Sequence, residues 1–508
     1  VPVAVPVSEA GAGRTGGGAV PADTPVLVGW KAVEQRRADP AAALDAVGLM
    51  VDAARGAVAG PTAAAVLGAV DWIGATDGSA RVDDPARLVA RALGLPHAHT
   101  VLARVGVMQQ TLVSEACRRV QAGEARLALV VGGEARYRQV RAQAAGVELA
   151  TPSAGTDPDE VLVPRSELVL RCEVAAGLHG APGFYALLDS EWRHRHGWSP
   201  EVQRHALGRL YARFAQVAAA NPHAVRRERY DAAFLSRGSE ANPMLAFPYT
   251  KLMVTTWTVD QAAALVFTTA GAAAELGIPR GRWLFPLVAV ESNFMAPMTA
   301  RARLTQPSAM PIMAGAAADA AGVDTATVEV LELYSCFPVA VQVAAEGLGV
   351  PEGRDLTVTG GMSFAGGPFN NFVFQAMAAV AERLAAGPGQ RGLVSCVSGL
   401  YTKQGFTVLG TAPPAAPFAV VDVTARVEAG EPVLAVEDRP AGPATVAAAT
   451  VLFAAGAPSH AVAVAELAGG RRTVARSDDP AVMARCMDED VVGRAATVAE
   501  GSFSLPPG

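Results

Sequence analysis

From Pro25 onward, short apolar runs alternate with alanine-rich stretches whose apolar positions recur every three to four residues. PVLVGW, AVDWIGA, HTVLARVG and RLALVVGGEA read as strands. ALDAVGLMVDAARGA, PARLVARALGLP and VMQQTLVSEACRRVQAGEA read as helices between them. Such alternation predicts a parallel sheet covered by helices. The order returns from Val328: TVEVLEL, VQVAAEGLGVP, LTVTGG, GGPFNNFVFQAMAAVAERLAAGPG and GLVSCVSG repeat strand, helix, strand, glycine elbow, helix and buried strand. Two duplicated βαβ halves, 25–136 and 243–410, are the expectation; recurrence of common α/β units is the alternative reading.

Residues 137–242 interrupt this rhythm with more charge and more aromatic residues and with helical periodicity over 201–220. They are expected to form an inserted cap over a site and not to extend the sheet. Residues 411–418, TAPPAAPF, read as a linker. Beyond them, 419–508 alternate in the strand period around one short helix, PAVMARCMDED, which predicts a small, mostly-β, barrel-like domain. Residues 1–24 have no cationic start before an apolar block and read as a flexible leader.

Composition narrows the classes. Of 508 residues, 51% are hydrophobic and 18% charged, enough apolar mass for large cores and too little charge for a disordered chain. The net charge is -6, and from Ala415 onward 7 arginines face 12 acidic residues, so neither the chain nor its last domain reads as binding nucleic acid. Pro440–Ala465 is a long charge-free stretch, but Gly456, Pro458, Ser459 and His460 interrupt it, and no membrane span is expected. Five scattered cysteines without a C-x-x-C pair exclude a disulfide scaffold and a zinc knuckle and fit a reducing cytoplasm; no metal site is expected. Lys31, Lys251 and Lys403 are the only lysines, every other basic side chain of this kind being arginine.

The segments LVSEACRRVQAGEARLALVVGGEA, PYTKLMVTTWTVDQAAALVF, VEVLELYSCF and GGMSFAGGPFNNF resemble the thiolase superfamily. The resemblance is closest to sterol-carrier-protein-type thiolases and to the type 1 thiolase-like proteins of actinobacteria that carry an added C-terminal domain. It implies a five-layer α/β/α/β/α fold made of the two halves, with chemistry at helix N-termini in the middle layer. It also implies acetyl-CoA acetyltransferase chemistry, in which a cysteine at the head of one central helix is activated by a histidine at the head of the other and assisted by a second cysteine. Carried onto this chain, those positions hold Gly106, Gly367 and Gly399, and the oxyanion position holds Tyr334. Tyr334 and Tyr401 are therefore the candidate proton-transfer groups. Arg226, Arg227 and Arg229 are candidates for the phosphates of coenzyme A, and Gly366, Asn370 and Asn371 for its pantetheine or a carbonyl. A helix cap is the equally plain reading of the two asparagines, and Met253 and Trp257 read as core.

The resemblance thus implies an acyltransferase-family protein that binds CoA or acyl-CoA in lipid metabolism, with little or no thiolysis and no permanently bound cofactor. A tyrosine-dependent acyl-CoA aldol lyase and a non-catalytic acyl-CoA or lipid carrier are the alternatives. The thiolase dimer pairs edge strands at the segment matching HTVLARVG; here Arg104 in that segment and the bulk of the fused barrel favour a monomer over a homodimer.

Overall fold

The computed structural model describes residues 20–164, 168–387 and 389–507, so most of the expected leader lies outside the described residues. The first repeat supplies β1 (Pro25–Gln35), β2 (Trp72–Thr76), β3 (His99–Ala103) and β4 (Leu127–Ala135), and the insertion adds β5 (Glu160–Leu162). After the insertion come β6 (Met244–Ala246) and β7 (Tyr249–Thr250). β8 (Asp260–Thr269) then returns to the first sheet, ordered β1-β8-β4-β2-β3-β5. β4 is buried along its whole length and β8 along all but its last residue, and their centres, Leu127–Val131 and Ala262–Phe267, are apolar. Helices begin where the sequence supplies caps: Asp45 accepts the Gly48 N–H at 2.7 Å at the head of Ala46–Ala57. Asp84 accepts the Arg87 N–H at 2.9 Å before Pro85–Leu93, which ends on Gly94 at φ +75°.

The second repeat gives β9 (Phe285–Ser292), β10 (Val330–Glu332), β11 (Arg391–Ser398) and β12 (Lys403–Gly410). With β13 (Ala419–Asp422) they form a second sheet ordered β10-β11-β12-β9-β13. β13 lies beyond the proline-rich segment and pairs in parallel with β9, so the second sheet continues past that segment. Helices Gln109–Gln121 and Phe372–Ala385 lie side by side between the sheets, with helices on both outer faces; this is the five-layer arrangement expected.

Two expectations are corrected. LTVTGG (356–361) forms no strand: Glu332 at the end of β10 accepts the N–H groups of Val358 at 2.7 Å and Thr359 at 2.9 Å, with the hydroxyls of Thr357 and Thr359, and draws the segment into a loop. The amides a strand would offer its neighbour go to that buried carboxylate instead. The insertion, expected to stay off the sheet, extends it. β5 pairs in parallel with β3, and Asp159 beside it accepts the Thr100 N–H at 2.8 Å and meets Arg87 at 2.7 Å. β5, and not the C-terminal domain, therefore occupies the outer edge of β3. The rest of the insertion is helical, including Pro200–Ala220 as its periodicity predicts.

At the C-terminus, β14 (Gly442–Ala454), β15 (Ala457–Leu467), β16 (Arg472–Ser477), β17 (Ala495–Ala499) and β18 (Ser502–Ser504) run β15-β16-β18-β17-β14. β14 pairs back to β15, closing a five-stranded barrel, and β6 and β7 extend the sheet from β14. Arg193 of the insertion helix Ala181–Arg195, itself 2% exposed, meets Asp490 at 2.9 Å, and Ser190 on the same helix accepts the Ala449 N–H at 3.2 Å. No helix among the described residues is long and apolar enough to cross a membrane.

Candidate functional site

The two central helices come together at their N-terminal ends. Gln109, the first residue of one, accepts the Val373 N–H at the head of the other at 2.8 Å through its Oε1. The chain enters the first helix through Gly106, whose φ of +101° is a conformation L side chains rarely adopt. It enters the second through the Gly366–Pro368 elbow. Both N-terminal ends thus bring partial positive charge to one point between the sheets.

At the three positions the resemblance assigns to catalytic side chains, the surroundings leave little room for one. A Cβ on Gly367 would collide with the Thr255 methyl carbon and stand 3.0 Å from Met362 Cβ. A Cβ on Gly106 would stand 3.1 Å from Pro164 Cγ, and one on Gly399, at φ +63°, 2.7 Å from Thr402 Cγ2. The nearby thiols are not activated: burial pushes Cys336 and Cys396 up to about 12, and it pushes Cys117 higher still.

Polar groups absent from the sequence reading fill this space instead. Lys403, 3% exposed, hydrogen-bonds the Gly106 carbonyl through Nζ, and Ser398 Oγ donates to the same oxygen at 3.2 Å. Burial lowers the Lys403 pKa from its ordinary value. Next to it, Glu291 accepts from Ser114 Oγ at 2.7 Å and Thr111 Oγ1 at 3.2 Å, and burial raises its pKa. The sequence did hold a signal for Lys403: in a chain that uses arginine almost everywhere, Lys31 and Lys251 are exposed and only Lys403 is interior.

Tyr334 and Tyr401 are both buried, and both sit in an aromatic cluster around Cys336. The Tyr401 ring meets Tyr185 edge-on at 6.4 Å, Tyr185 stacks on Phe337 at 4.2 Å, and Tyr334 meets Phe372 edge-on at 5.8 Å. Burial raises both phenols well above their ordinary value, so they stay protonated and do not serve as bases. The Tyr401 hydroxyl has no hydrogen-bond partner among the described residues.

The arginines lie in an extended segment between helices, not on a helix end. Arg226 reaches the elbow: its N–H donates to Phe364 O at 2.9 Å and its Nε to Thr256 Oγ1 at 3.3 Å, while Gly367 N–H donates to Thr256 O at 3.0 Å. Arg227 and Arg229 are exposed and make no such contact. Asn370 donates from Nδ2 to Asp77 O at 3.0 Å. Asn371 occupies the cap position of the second helix without making a cap bond; its buried amide lies against Gly132 and Thr76, and neither amide atom finds a partner among the described residues. A Cβ on Gly366 would collide with the Gln261 side chain. Met253 is core as expected, but Trp257 is 46% exposed at the rim of this elbow. No group of three or more metal-ligating side chains occurs among the described residues.

Two βαβ halves packed as five layers around paired helix N-termini define the thiolase fold. The human mitochondrial 3-ketoacyl-CoA thiolase in complex with CoA shares it: TM-score 0.54, 16% identity, 76% of this chain and 98% of that one covered. So does an acetyl-CoA acetyltransferase from Syntrophomonas wolfei, with TM-score 0.55, 18% identity and coverage of 76% and 99%. A monomeric SCP2-thiolase-like protein type 1 from Mycobacterium smegmatis matches at TM-score 0.81 and 27% identity over 96% of this chain and 100% of its own. Residues 422–501 match the family model described as the thiolase-like protein type 1 additional C-terminal domain. No curated protein matches the sequence. The chain thus has the thiolase fold, is similar over nearly its whole length to a type 1 thiolase-like protein, and carries that group's added C-terminal domain.

Proposed function

We propose that this protein binds CoA or acyl-CoA in lipid metabolism and does not perform thiolysis. The observation that carries the second half is Gly367. Glycine there supplies no imidazole, a Cβ in its place would collide with the Thr255 methyl carbon, and burial holds the nearby thiols Cys336 and Cys396 in their protonated form. Binding is supported by Arg226 held at the elbow beside Trp257, and by the CoA complex of the human thiolase that shares the fold. A monomer fits the edge of β3 already being paired by β5, and the M. smegmatis relative is itself described as monomeric. A reducing cytoplasm fits five free cysteines.

Calorimetry with CoA and with short and long acyl-CoAs tests the binding, and acetoacetyl-CoA thiolysis tests the chemistry. Saturable micromolar binding with thiolysis at background supports the reading. Loss of nucleophile and base removes several orders of magnitude in rate. Turnover within about tenfold of an ordinary thiolase, abolished by iodoacetamide, would refute it.

A further inference from the structure

Lys31 and Lys251 are exposed, whereas Lys403 is 3% exposed and stands where the chain enters the first central helix. Its Nζ donates to the Gly106 carbonyl, and Ser398 Oγ shares that acceptor at 3.2 Å. Gly106, Ser398 and Gly399 are themselves only partly covered, so the amine lies one layer beneath the surface and not in a sealed core. The turn that delivers it has an unusual backbone. Gly399, Leu400 and Tyr401 follow one another at φ +63°, +51° and +66°, a region that non-glycine residues rarely adopt. Buried Arg301 fixes this turn by donating from Nη2 to the Leu400 carbonyl at 3.0 Å, and the Thr402 N–H donates to Gly399 O at 3.1 Å. Strain of this kind persists only where the surroundings enforce it, and here it opens β12 with Lys403 directed at the helix head.

Burial acts in opposite directions on the nucleophiles near this point. It pushes the Cys336 and Cys396 thiols up to about 12 and the Tyr334 and Tyr401 phenols well above their ordinary value, which keeps each in its unreactive protonated form. An amine is nucleophilic when neutral, and burial lowers Lys403 against the opposing influence of Cys396 and Glu291. Of these groups only the amine is moved toward its reactive form.

We infer that Lys403 Nζ is an acyl acceptor, to which an acyl thioester bound at the helix heads transfers its acyl group. The Nζ lone pair forms a C–N bond to the thioester carbonyl, and the positive ends of the two helices stabilise the oxyanion. The C–S bond then breaks, its electron pair leaves on sulfur, and the proton lost from Nζ passes to that sulfur. The products are an N-acyl lysine and a free thiol. Each chain reacts once, because a second thiol does not cleave the amide, and the acylated side chain then occupies the space beside Gly106. The inference rests on the acyl-CoA-binding reading and adds a covalent modification of that same site.

The test is incubation of the full-length protein with acetyl-CoA and with a long-chain acyl-CoA, followed by intact mass and peptide mapping. With three lysines in the chain, Lys31 and Lys251 serve as internal controls. Lys403 should gain its acyl group at least about tenfold faster than either, and unfolding in urea should bring the three to within about threefold of one another. Excess free CoA should slow Lys403 and leave the two exposed lysines unchanged. Lys403→Arg, which keeps a cation and a donor for Gly106, should leave only the slow gain at Lys31 and Lys251. Calorimetric CoA binding with Lys403 acylated no faster than the exposed lysines overturns this inference and leaves the functional reading standing, whereas absence of both binding and acylation overturns the two together. An adduct released by neutral hydroxylamine is a thioester on a cysteine and overturns the assignment to the amine, as does acylation of Lys403 that free CoA does not slow.

Discussion

In the first half, β3 keeps a partner on each side: β2, with Trp72 opposite His99, and β5, with Val101 opposite Glu160. In the second half, the segment in the matching place, 356–361, has no strand partner, and its amides and hydroxyls surround the Glu332 carboxylate. Both devices remove the same hazard, an open sheet edge with unpaired N–H and C=O groups. They differ in what they ask of the chain. A short strand from an insertion leaves β3 regular and straight. A buried carboxylate bends the segment sharply through Gly360 at φ +96° and Gly361 at φ +74°, where Cβ atoms would run into Ala218 and Phe214 of the insertion. The second half thereby seats the insertion against its elbow, while the first uses the insertion only at its edge.

Substituting the two carboxylates breaks this comparison most severely. Glu332→Ala leaves the buried Thr357 and Thr359 hydroxyls and two amides without their acceptor and should cost about 3–5 kcal/mol in urea unfolding. Glu134→Ala in the first half strands only the Ser79 N–H and hydroxyl, and should cost about 1–2 kcal/mol. Equal losses would show that the second edge does not depend on its carboxylate.

A pH series sharpens the same point. Burial pushes Glu332 up to about 7 from an ordinary value of 4.5, so the folded state holds its proton more tightly than the unfolded chain. That stability is fully present below about pH 4.5 and is lost as pH rises through about 7, a difference of about 3 kcal/mol. Measured against Glu332→Gln, which cannot titrate, the wild type should fall behind by that amount between acid and mildly alkaline buffer. A constant gap between the two proteins across the series would contradict the burial argument.

On the other edge, Leu162→Pro removes an N–H on the side of β5 that faces β3, where the Leu162 carbonyl already accepts from Arg104 N–H at 3.0 Å. The expected cost is about 1–2 kcal/mol, with faster amide exchange over 99–103. Light scattering should give 52.0 kDa for the wild type and concentration-dependent association for the variant. A dimeric wild type would sink the role assigned to β5. The smallest effect belongs to Tyr401→Phe. Its hydroxyl has no partner among the described residues, so stability should stay within about 1 kcal/mol and acyl-CoA binding within about threefold. A fall of about a hundredfold in aldol cleavage of a β-hydroxyacyl-CoA would instead make that phenol a proton donor.

Much of the fold was legible because its elements carry their own signals. β4 opens on the apolar run Leu127–Val131, Asp84-Pro85 opens a helix that Gly94 closes, and the barrel strands alternate in period two. The site was legible only as a set of positions. Gly106 and Gly367 stood out against the family's pattern, but nothing local indicated that Lys403 would cross to the Gly106 carbonyl, or that Trp257 would stay exposed at the rim.

The sequence by itself determined the two repeated halves, the closed final domain and the side chains available at each elbow, because periodicity, caps and glycine placement act over a few residues at a time. Only the tertiary structure decided that LTVTGG is a loop, that Glu160–Leu162 is a strand, and that Arg226 reaches Thr256 at the elbow. The physical reason is distance along the chain. Strand propensity in 356–361 yields to a carboxylate more than twenty residues away, and a three-residue strand exists only because β3 offers it an edge about sixty residues upstream. The Arg226 N–H likewise meets the Phe364 carbonyl more than a hundred residues further along the chain, a contact that no local pattern specifies.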